Sequence, residues 1–175
     1  MDLQVFIFDY RGYGKSSGRP SEKGLYRDGL AAYTYLVEKE KIPPERIILF
    51  GRSLGASVAI EIAWRKSARS IIIESAFTSI KDMAKAMGPF RTLAWAVPAN
   101  YNNLEKIGRI HIPIFIIHGD QDEIVPFQMG QSLFKAAQEP KYFLELSGAG
   151  HNDTYVKGGE DYFRAFTTFV KNGRI

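Results

Sequence analysis

The chain has 175 residues, 45% of them hydrophobic and 24% charged, which is typical of one soluble globular domain with a sizeable core. The net charge of +4 does not predict nucleic-acid binding, because Lys and Arg are scattered among acidic residues such as Glu38, Glu40 and Glu45. The absence of cysteine excludes disulfides and thiolate chemistry, and no run reaches the length of a transmembrane helix or a signal peptide.

Short apolar runs alternate with helical patterns, which is the rhythm of a parallel β-sheet with helices on both faces. The sequence predicts a single α/β domain over 1–175 with five strands, at 5–8, 47–50, 71–73, 114–117 and 142–146. It predicts helices after Ser21, after the second strand to about Lys66, over 127–138 and over 161–171. The less regular stretch 78–103 is predicted to form helical pieces, as a small cap-like insertion.

The glycine-rich loop from Tyr10 to Arg19 follows the first predicted strand. It does not fit a phosphate-binding P-loop, which needs glycine where this chain has Asp9. It does not fit a dinucleotide fingerprint either, because that motif needs glycine or alanine where the chain has Ser17. The sequence thus predicts no cofactor, and we expect Arg11 and Asp28 to pair and order this loop, with contact to a substrate as the alternative role.

The stretch Gly51–Gly55 reads G-R-S-L-G between an apolar strand and a helix. Such a turn strains the backbone of Ser53, and the flanking glycines allow the strand and the helix to approach closely. The turn also directs the first helical N–H groups, beginning with Leu54, toward an oxyanion formed at Ser53. We predict a nucleophile elbow here; the alternative is a tight turn with an idle serine.

A nucleophilic serine needs a base, and the chain has three histidines. His111 precedes a strand and His118 lies in an apolar run, so both are interpreted as packing or capping residues. His151 lies in a glycine-rich loop after the last strand, at the sheet edge where parallel folds place functional groups. His151 is therefore the predicted general base.

The base needs a carboxylate that fixes its tautomer. The candidates, most of which follow the carboxyl end of a strand, are Glu74, Asp120, Asp122, Glu123 and Asp153. We favour Asp122, because it follows a tight turn whose loop is anchored by apolar neighbours, and keep Asp120 as the alternative. The order Ser53, Asp122, His151 is the one expected for an α/β-hydrolase.

Several stretches together resemble the α/β-hydrolase superfamily: F-D-Y-R-G-Y-G-K-S at 8–16, the serine turn, E-S-A-F-T-S at 74–79, H-G-D-Q-D at 118–122, and 148–153. The likeness is closest to small serine hydrolases such as depalmitoylating thioesterases, with serine aminopeptidases and prolyl-oligopeptidase domains further off. The resemblance implies Ser53 as nucleophile, His151 as base and then acid, and Asp122 as the orienting acid. It implies hydrolysis of an ester or thioester through an acyl-enzyme, with no metal.

One departure from this family concerns the start of the chain. Family members begin with three further strands, and the loop after the third supplies a second oxyanion N–H. The first residues here already match the family's fourth strand, so we expect an N-terminally truncated fold with Leu54 as its one oxyanion donor. The strand at 5–9 is expected to pair with 47–50 or to expose its edge, which would favour marginal stability and self-association.

Two classes of function remain open from the sequence. One is a serine hydrolase acting on a small-molecule or acylated substrate; the other is a catalytically impaired binding module, and peptidase activity stays possible within the first. Met87 and Trp95 are predicted to contact an acyl chain, with core packing as the alternative. We expect a cytoplasmic protein that does not bind nucleic acid, and leave membrane association open.

Overall fold

The computed structural model describes residues 3–86 and 100–175. The chain divides into two compact units, Met1–Ile42 and Pro43–Ile175. The first unit is built around one helix, and the second around a parallel β-sheet that carries the predicted site residues.

Helix α1 (Glu22–Thr34) organises the first unit and continues into a π-helical turn at Tyr35–Lys39. Its N-cap is Ser21, whose Oγ accepts a hydrogen bond from the Gly24 N–H at 3.2 Å. The bond satisfies one of the amides that lack an intrahelical acceptor, the usual role of a serine at an N-cap.

The predicted pair between Arg11 and Asp28 is confirmed. Nη2 of Arg11 donates to Oδ1 of Asp28 at 2.7 Å, and the Arg11 backbone N–H donates to Oδ2 at 2.9 Å. The hydrogen bond from the guanidinium lowers the pKa of Asp28. The pair fastens the loop before α1 to the helix itself.

The predicted first strand is wrong. Residues 5–9 form no strand, and the side chains of Val5 and Ile7 are 84% and 87% exposed. A strand requires a neighbour that exchanges backbone hydrogen bonds with it. In the part of the chain that the structure describes, the four strands of the sheet pair only with one another.

The other four predicted strands are present in the second unit, where they form a parallel sheet of order β1-β2-β3-β4. Their bounds are β1 Ile48–Arg52, β2 Ser70–Glu74, β3 Ile114–Gly119 and β4 Lys141–Leu146. The helices of this unit are α2 Leu54–Arg65, α3 Ile80–Ala86, α4 Asn103–Ile107, α5 Phe127–Ala136 and α6 Thr154–Asn172, with a 3-10 turn at Pro44–Arg46. This is a four-stranded α/β fold of the predicted class.

The two central strands are buried along their whole length. Their middle parts, 71–73 and 114–117, are continuous apolar runs and not alternating ones, as expected for a parallel sheet covered by helices. Helix α6 covers part of the sheet, with the rings of Phe115 and Phe169 5.1 Å apart. Fully burying such a side chain contributes about 1.5–3 kcal/mol, so this core fixes the sheet to which the site is attached.

Hydrogen bonding of the sheet continues one residue past the strand ends. The N–H of Ser53, after β1, donates to the carbonyl of Glu74 at 2.9 Å. The N–H of Ser75, after β2, donates to the carbonyl of Ile117 at 3.0 Å. The first residue of each connection is thereby fixed by the neighbouring strand.

Candidate active site

Ser53 occupies a strained turn between β1 and α2, with φ 51° and ψ −118°. A Cβ atom added to Gly51 would lie 2.3 Å from the carbonyl oxygen of Gly55, so a side chain at Gly51 would collide with the helix. Positive φ costs a non-glycine residue of order 1–3 kcal/mol, and such strain is typical of functional sites. The local geometry is that of the predicted elbow.

Leu54 is the first residue of α2. Its N–H belongs to the first helical turn, where amides lack an intrahelical acceptor and lie at the positive end of the helix dipole. The Ala56 N–H, by contrast, donates back to the Ser53 carbonyl at 3.1 Å. The turn therefore offers the Leu54 amide next to Ser53.

His151 and Asp122 form a buried hydrogen-bonded pair. Nδ1 of His151 lies 2.8 Å from Oδ2 and 3.0 Å from Oδ1 of Asp122. Because a carboxylate only accepts, the hydrogen resides on Nδ1 and the Nε2 of a neutral imidazole carries a lone pair. This is the tautomer that a general base requires.

Backbone amides hold the Asp122 carboxylate in place. Its Oδ1 accepts hydrogen bonds from the N–H groups of Ile124 at 3.0 Å and Val125 at 2.7 Å. Burial opposes ionisation of Asp122, but hydrogen bonds from His118, Val125, His151 and Ile124 outweigh it and lower its pKa well below the ordinary range. Asp122 is thus a fixed negative charge at neutral pH.

Asp120, the alternative acid, has a different partner. Its Oδ1 accepts a hydrogen bond from the Gly148 N–H at 2.6 Å, at the start of the loop that carries His151. Its own N–H donates to the Leu146 carbonyl at 3.1 Å. Asp120 therefore holds the histidine loop, whereas Asp122 contacts the imidazole.

Two more of the candidate carboxylates accept hydrogen bonds from the backbone of that loop. Oε2 of Glu123 accepts from the His151 N–H at 3.1 Å. Oδ1 of Asp153 accepts from the Gly150 N–H at 2.7 Å. The loops after β3 and β4 thus hold each other through backbone amides, which orients the His151 ring.

Arg52, the residue before Ser53, links the serine turn to the histidine loop. Its Nη2 donates to the His151 carbonyl oxygen and, at 2.9 Å, to Oδ1 of Asn152. Ser53 and His151 come from distant parts of the sequence, and this contact brings their backbones together. Arg52 escaped the sequence interpretation because it occupies a variable position of the G-x-S-x-G pattern.

A second histidine stands behind Asp122. His118 is completely buried, and its Nε2 lies 2.9 Å from the Val125 carbonyl oxygen. The sequence predicted a packing or capping role for His118. Its apolar surroundings gave no signal that it reaches the same carboxylate as His151.

An apolar cluster lies beside the serine turn. Phe77, Val125 and Met129 form its buried part, and the partly buried Leu54, Ile80, Met83 and Tyr101 pack against it. Leu54 directly follows Ser53, so the cluster adjoins the candidate nucleophile. The predicted acyl contacts, Met87 and Trp95, lie outside the described residues.

Residues 3–86 and 100–175 contain no group of three or more His, Asp or Glu side chains that could hold a metal ion. Within the same ranges, no helix has both the length and the apolar composition needed to cross a membrane.

A family model described as serine aminopeptidase S33 (Hydrolase_4) matches residues 1–105. The chain belongs to this α/β-hydrolase family. Human alpha/beta hydrolase domain-containing protein 17B is 36% identical to it over 170 residues, which are 97% of this chain and 57% of the human protein. An uncharacterized protein from Mycobacterium tuberculosis is 38% identical over 170 residues, or 97% of this chain and 60% of the relative. This α/β-hydrolase chain thus spans 57% to 60% of the length of these two relatives.

Solved structures share the fold. An esterase from Pyrococcus furiosus superposes on this α/β-hydrolase with a TM-score of 0.75 and 24% identity, covering 93% of this chain and 68% of the esterase. A monoacylglycerol lipase from Paleococcus ferrophilus gives a TM-score of 0.68 at 19% identity, covering 93% of this chain and 81% of the lipase. At these identities the likeness establishes the fold and not the substrate.

Proposed function

We propose that this chain carries the catalytic machinery of a serine hydrolase that cleaves carboxylic esters or thioesters through an acyl-enzyme on Ser53. The observation that carries the proposal is the buried bond between His151 Nδ1 and Asp122 Oδ2, at 2.8 Å, on a loop that Arg52 ties to the serine turn. A strained serine, an oriented imidazole and a fixed carboxylate are the parts that nucleophilic acyl transfer requires.

In the first half-reaction, Ser53 Oγ attacks the substrate carbonyl carbon while His151 Nε2 accepts the hydroxyl proton. The Leu54 N–H stabilises the oxyanion of the tetrahedral intermediate. When the bond to the leaving group breaks, His151 returns the proton to the departing oxygen or sulfur. The acyl group is then esterified to Ser53.

In the second half-reaction, His151 takes a proton from water, and the resulting hydroxide attacks the acyl carbon. Collapse of this second intermediate breaks the bond to Ser53 Oγ, which regains its proton from His151. Asp122 keeps its negative charge throughout and stabilises the imidazolium formed in each half. The products are a carboxylic acid and an alcohol or thiol.

The apolar cluster beside Ser53 favours an acyl substituent over a charged one. Leu54 and, on α3, Ile80 and Met83 are only partly buried and pack against this cluster, and methionine adapts to varied apolar shapes. Transferring an acyl chain from water onto such a surface contributes about 0.8 kcal/mol per buried methylene. Affinity should therefore rise with chain length.

The test is labelling of the purified 175-residue chain with a fluorophosphonate, followed by intact-mass measurement. Wild type should gain one adduct, Ser53→Ala none, and Ser57→Ala, which changes a buried serine of α2, the same adduct as wild type. The proteins that are labelled should hydrolyse p-nitrophenyl esters, and Ser53→Ala should not. Hydrolysis of p-nitroanilides tests for peptidase activity. A folded wild-type chain that neither labels nor hydrolyses would instead support a binding module.

A further inference from the structure

A buried carboxylate lies directly behind the serine turn. Glu74 ends β2 and is 2% exposed. Its Oε1 accepts a hydrogen bond from Thr154 Oγ1 at 2.5 Å, and its Oε2 accepts one from the Tyr162 hydroxyl at 2.9 Å. Its backbone carbonyl accepts the Ser53 N–H. Glu74 therefore contacts both the serine turn and helix α6, which begins just after His151.

The Tyr162 hydroxyl stays a donor over a wide pH range. Burial, with the negative charge of Glu74 and the hydrogen bond to it, raises the pKa of Tyr162 above the ordinary tyrosine value. Both O–H donors to the carboxylate come from α6. Glu74 is thereby fixed relative to the helix that follows the histidine loop.

Arg52 extends this arrangement to the histidine itself. Its Nε lies 3.4 Å from Glu74 Oε1, an ion-pair distance without a hydrogen bond, while its Nη2 donates to the His151 carbonyl oxygen and to the Asn152 side chain. The guanidinium is planar and its donors have fixed directions, so attraction of its Nε side to the buried carboxylate favours the orientation in which Nη2 reaches the His151 loop.

We propose that Glu74 and Arg52 are positioning residues that hold His151 in register with Ser53. Neither touches the reacting atoms; Glu74 fixes Arg52, and Arg52 fixes the backbone of His151. A displacement of about 1 Å in a catalytic group is enough to cost on the order of 100-fold in rate, so loss of this link should appear in turnover. The inference rests on the proposed function of Ser53 and His151.

A purely structural role makes a different prediction. An ion pair that only stabilises the fold lowers the free energy of unfolding but leaves kcat of the folded protein unchanged. The chain offers a control away from the candidate site, because Arg65 on α2 also pairs with a buried glutamate, Glu61, here through a hydrogen bond from Nε to Oε1 at 2.5 Å. Both pairs join a partly exposed arginine to a buried glutamate.

The experiment compares Arg52→Gln, Arg52→Lys, Glu74→Gln and Arg65→Gln. For each, kcat and KM are measured with a p-nitrophenyl ester under conditions where urea unfolding shows the protein fully folded. Arg52→Gln should lower kcat by about 10- to 100-fold with KM changed less than threefold. The kcat of Arg52→Lys should lie between that of Arg52→Gln and that of wild type, because lysine keeps the positive charge but lacks the planar set of donors. Arg65→Gln should keep kcat within twofold of wild type.

Coupling between the two residues gives a second readout. If Glu74 acts through Arg52, the double variant that combines Arg52→Gln with Glu74→Gln should lose no more kcat than the single variant with the lower kcat. Multiplied losses, or a kcat of Arg52→Gln within twofold of wild type, would overturn the proposal.

A third readout does not depend on turnover. The chain has three histidines, so ¹⁵N-labelled imidazole spectra resolve His151 from the other two. Arg52→Gln should shift the ring nitrogens of His151 and speed exchange of its Nδ1 proton, and Arg65→Gln should leave both as in wild type. Unchanged His151 signals in a folded Arg52→Gln variant would reject the positioning role, whether or not the wild-type chain hydrolyses esters. A wild-type chain that is inert toward esters would separately reject the proposed function.

Discussion

Nε2 of His118 lies 3.4 Å from Oδ2 of Asp122, and both side chains are fully buried. The carboxylate that binds His151 on one side thus meets a second imidazole on another. The Val125 carbonyl, 2.9 Å from the same nitrogen, only accepts hydrogen bonds, so Nε2 of His118 must carry hydrogen. His118 therefore places an N–H between a carbonyl and the carboxylate.

We predict that His118→Leu lowers the free energy of unfolding by about 1–3 kcal/mol, because two buried acceptors lose a donor. It should also lower kcat for an ester, because Asp122 loses one of the contacts that orient it. His118→Gln, whose amide can donate near the Nε2 position, should lose less of both. Urea unfolding and ester kinetics measure the effects, with His111→Gln, at an exposed site, as the control. Equal losses of stability and kcat in His118→Leu and His118→Gln would contradict the prediction, because they would show that the N–H donor at this position contributes nothing.

Asp122 and Asp120 should separate cleanly in kinetics. Asp122→Asn should lower kcat on the order of 10,000-fold, the loss typical of a triad whose orienting carboxylate is replaced by an amide. Asp120→Asn should lose less than tenfold, because the Asn oxygen can still accept the Gly148 N–H. Steady-state hydrolysis of a p-nitrophenyl ester decides it. A dead Asp120→Asn beside an active Asp122→Asn would reverse the assignment.

Acid should weaken the fold partly through Asp122. The native state holds the pKa of this carboxyl below its usual value of 3.8, so as pH falls through that value the unfolded chain takes up a proton first. The stabilisation from ionised Asp122 is therefore complete above about pH 5 and is lost as pH falls below about pH 4. The difference in unfolding free energy between wild type and Asp122→Asn should shrink from pH 5 to pH 3 in urea titrations. Asp161→Asn, at an exposed carboxylate, should show no such trend.

Alkali should act through Tyr162 with the opposite sign. Replacing it with Phe removes a donor to buried Glu74 and should cost about 1–3 kcal/mol at pH 7. The native state raises the pKa of Tyr162 above 10.0, so the unfolded chain releases this proton first as pH rises. The stability difference between wild type and Tyr162→Phe should accordingly narrow between pH 9 and pH 11. Tyr155→Phe, at a residue 51% exposed, is the control, and a difference that stays constant with pH would contradict the prediction.

Four strands were predictable because strands buried in a parallel sheet appear as continuous apolar runs. The run at 5–8 has the same pattern and is not a strand. Apolar character records a preference for burial but does not specify the neighbour whose backbone groups would complete a strand. Helix α6 begins at Thr154 and not at the predicted 161, although two glycines, Gly158 and Gly159, disfavour a helix in this part of the chain. Gly159 does depart from helical geometry, with φ 47°, and the chain resumes the helix beyond it.

Ser53, Asp122 and His151 stood out from the sequence because each follows the end of a strand, and such ends meet at one edge of a parallel sheet. The structure brings His151 to Asp122 and links its loop to the residue before Ser53. The parts that sequence did not reveal are contacts between side chains of separate elements, as with Arg52, His118 and Tyr162. Such contacts depend on the rotation of each helix and the register of each strand, which local patterns do not encode.

The hydrogen bonds from the Ser53 N–H to the Glu74 carbonyl and from the Ser75 N–H to the Ile117 carbonyl tie the position of Ser53, the candidate nucleophile, to the register of the strands. The segment between β2 and β3, which includes α3 and α4, begins only after Ser75. The length and composition of that segment can therefore vary between homologous chains without displacing Ser53 from the end of β1.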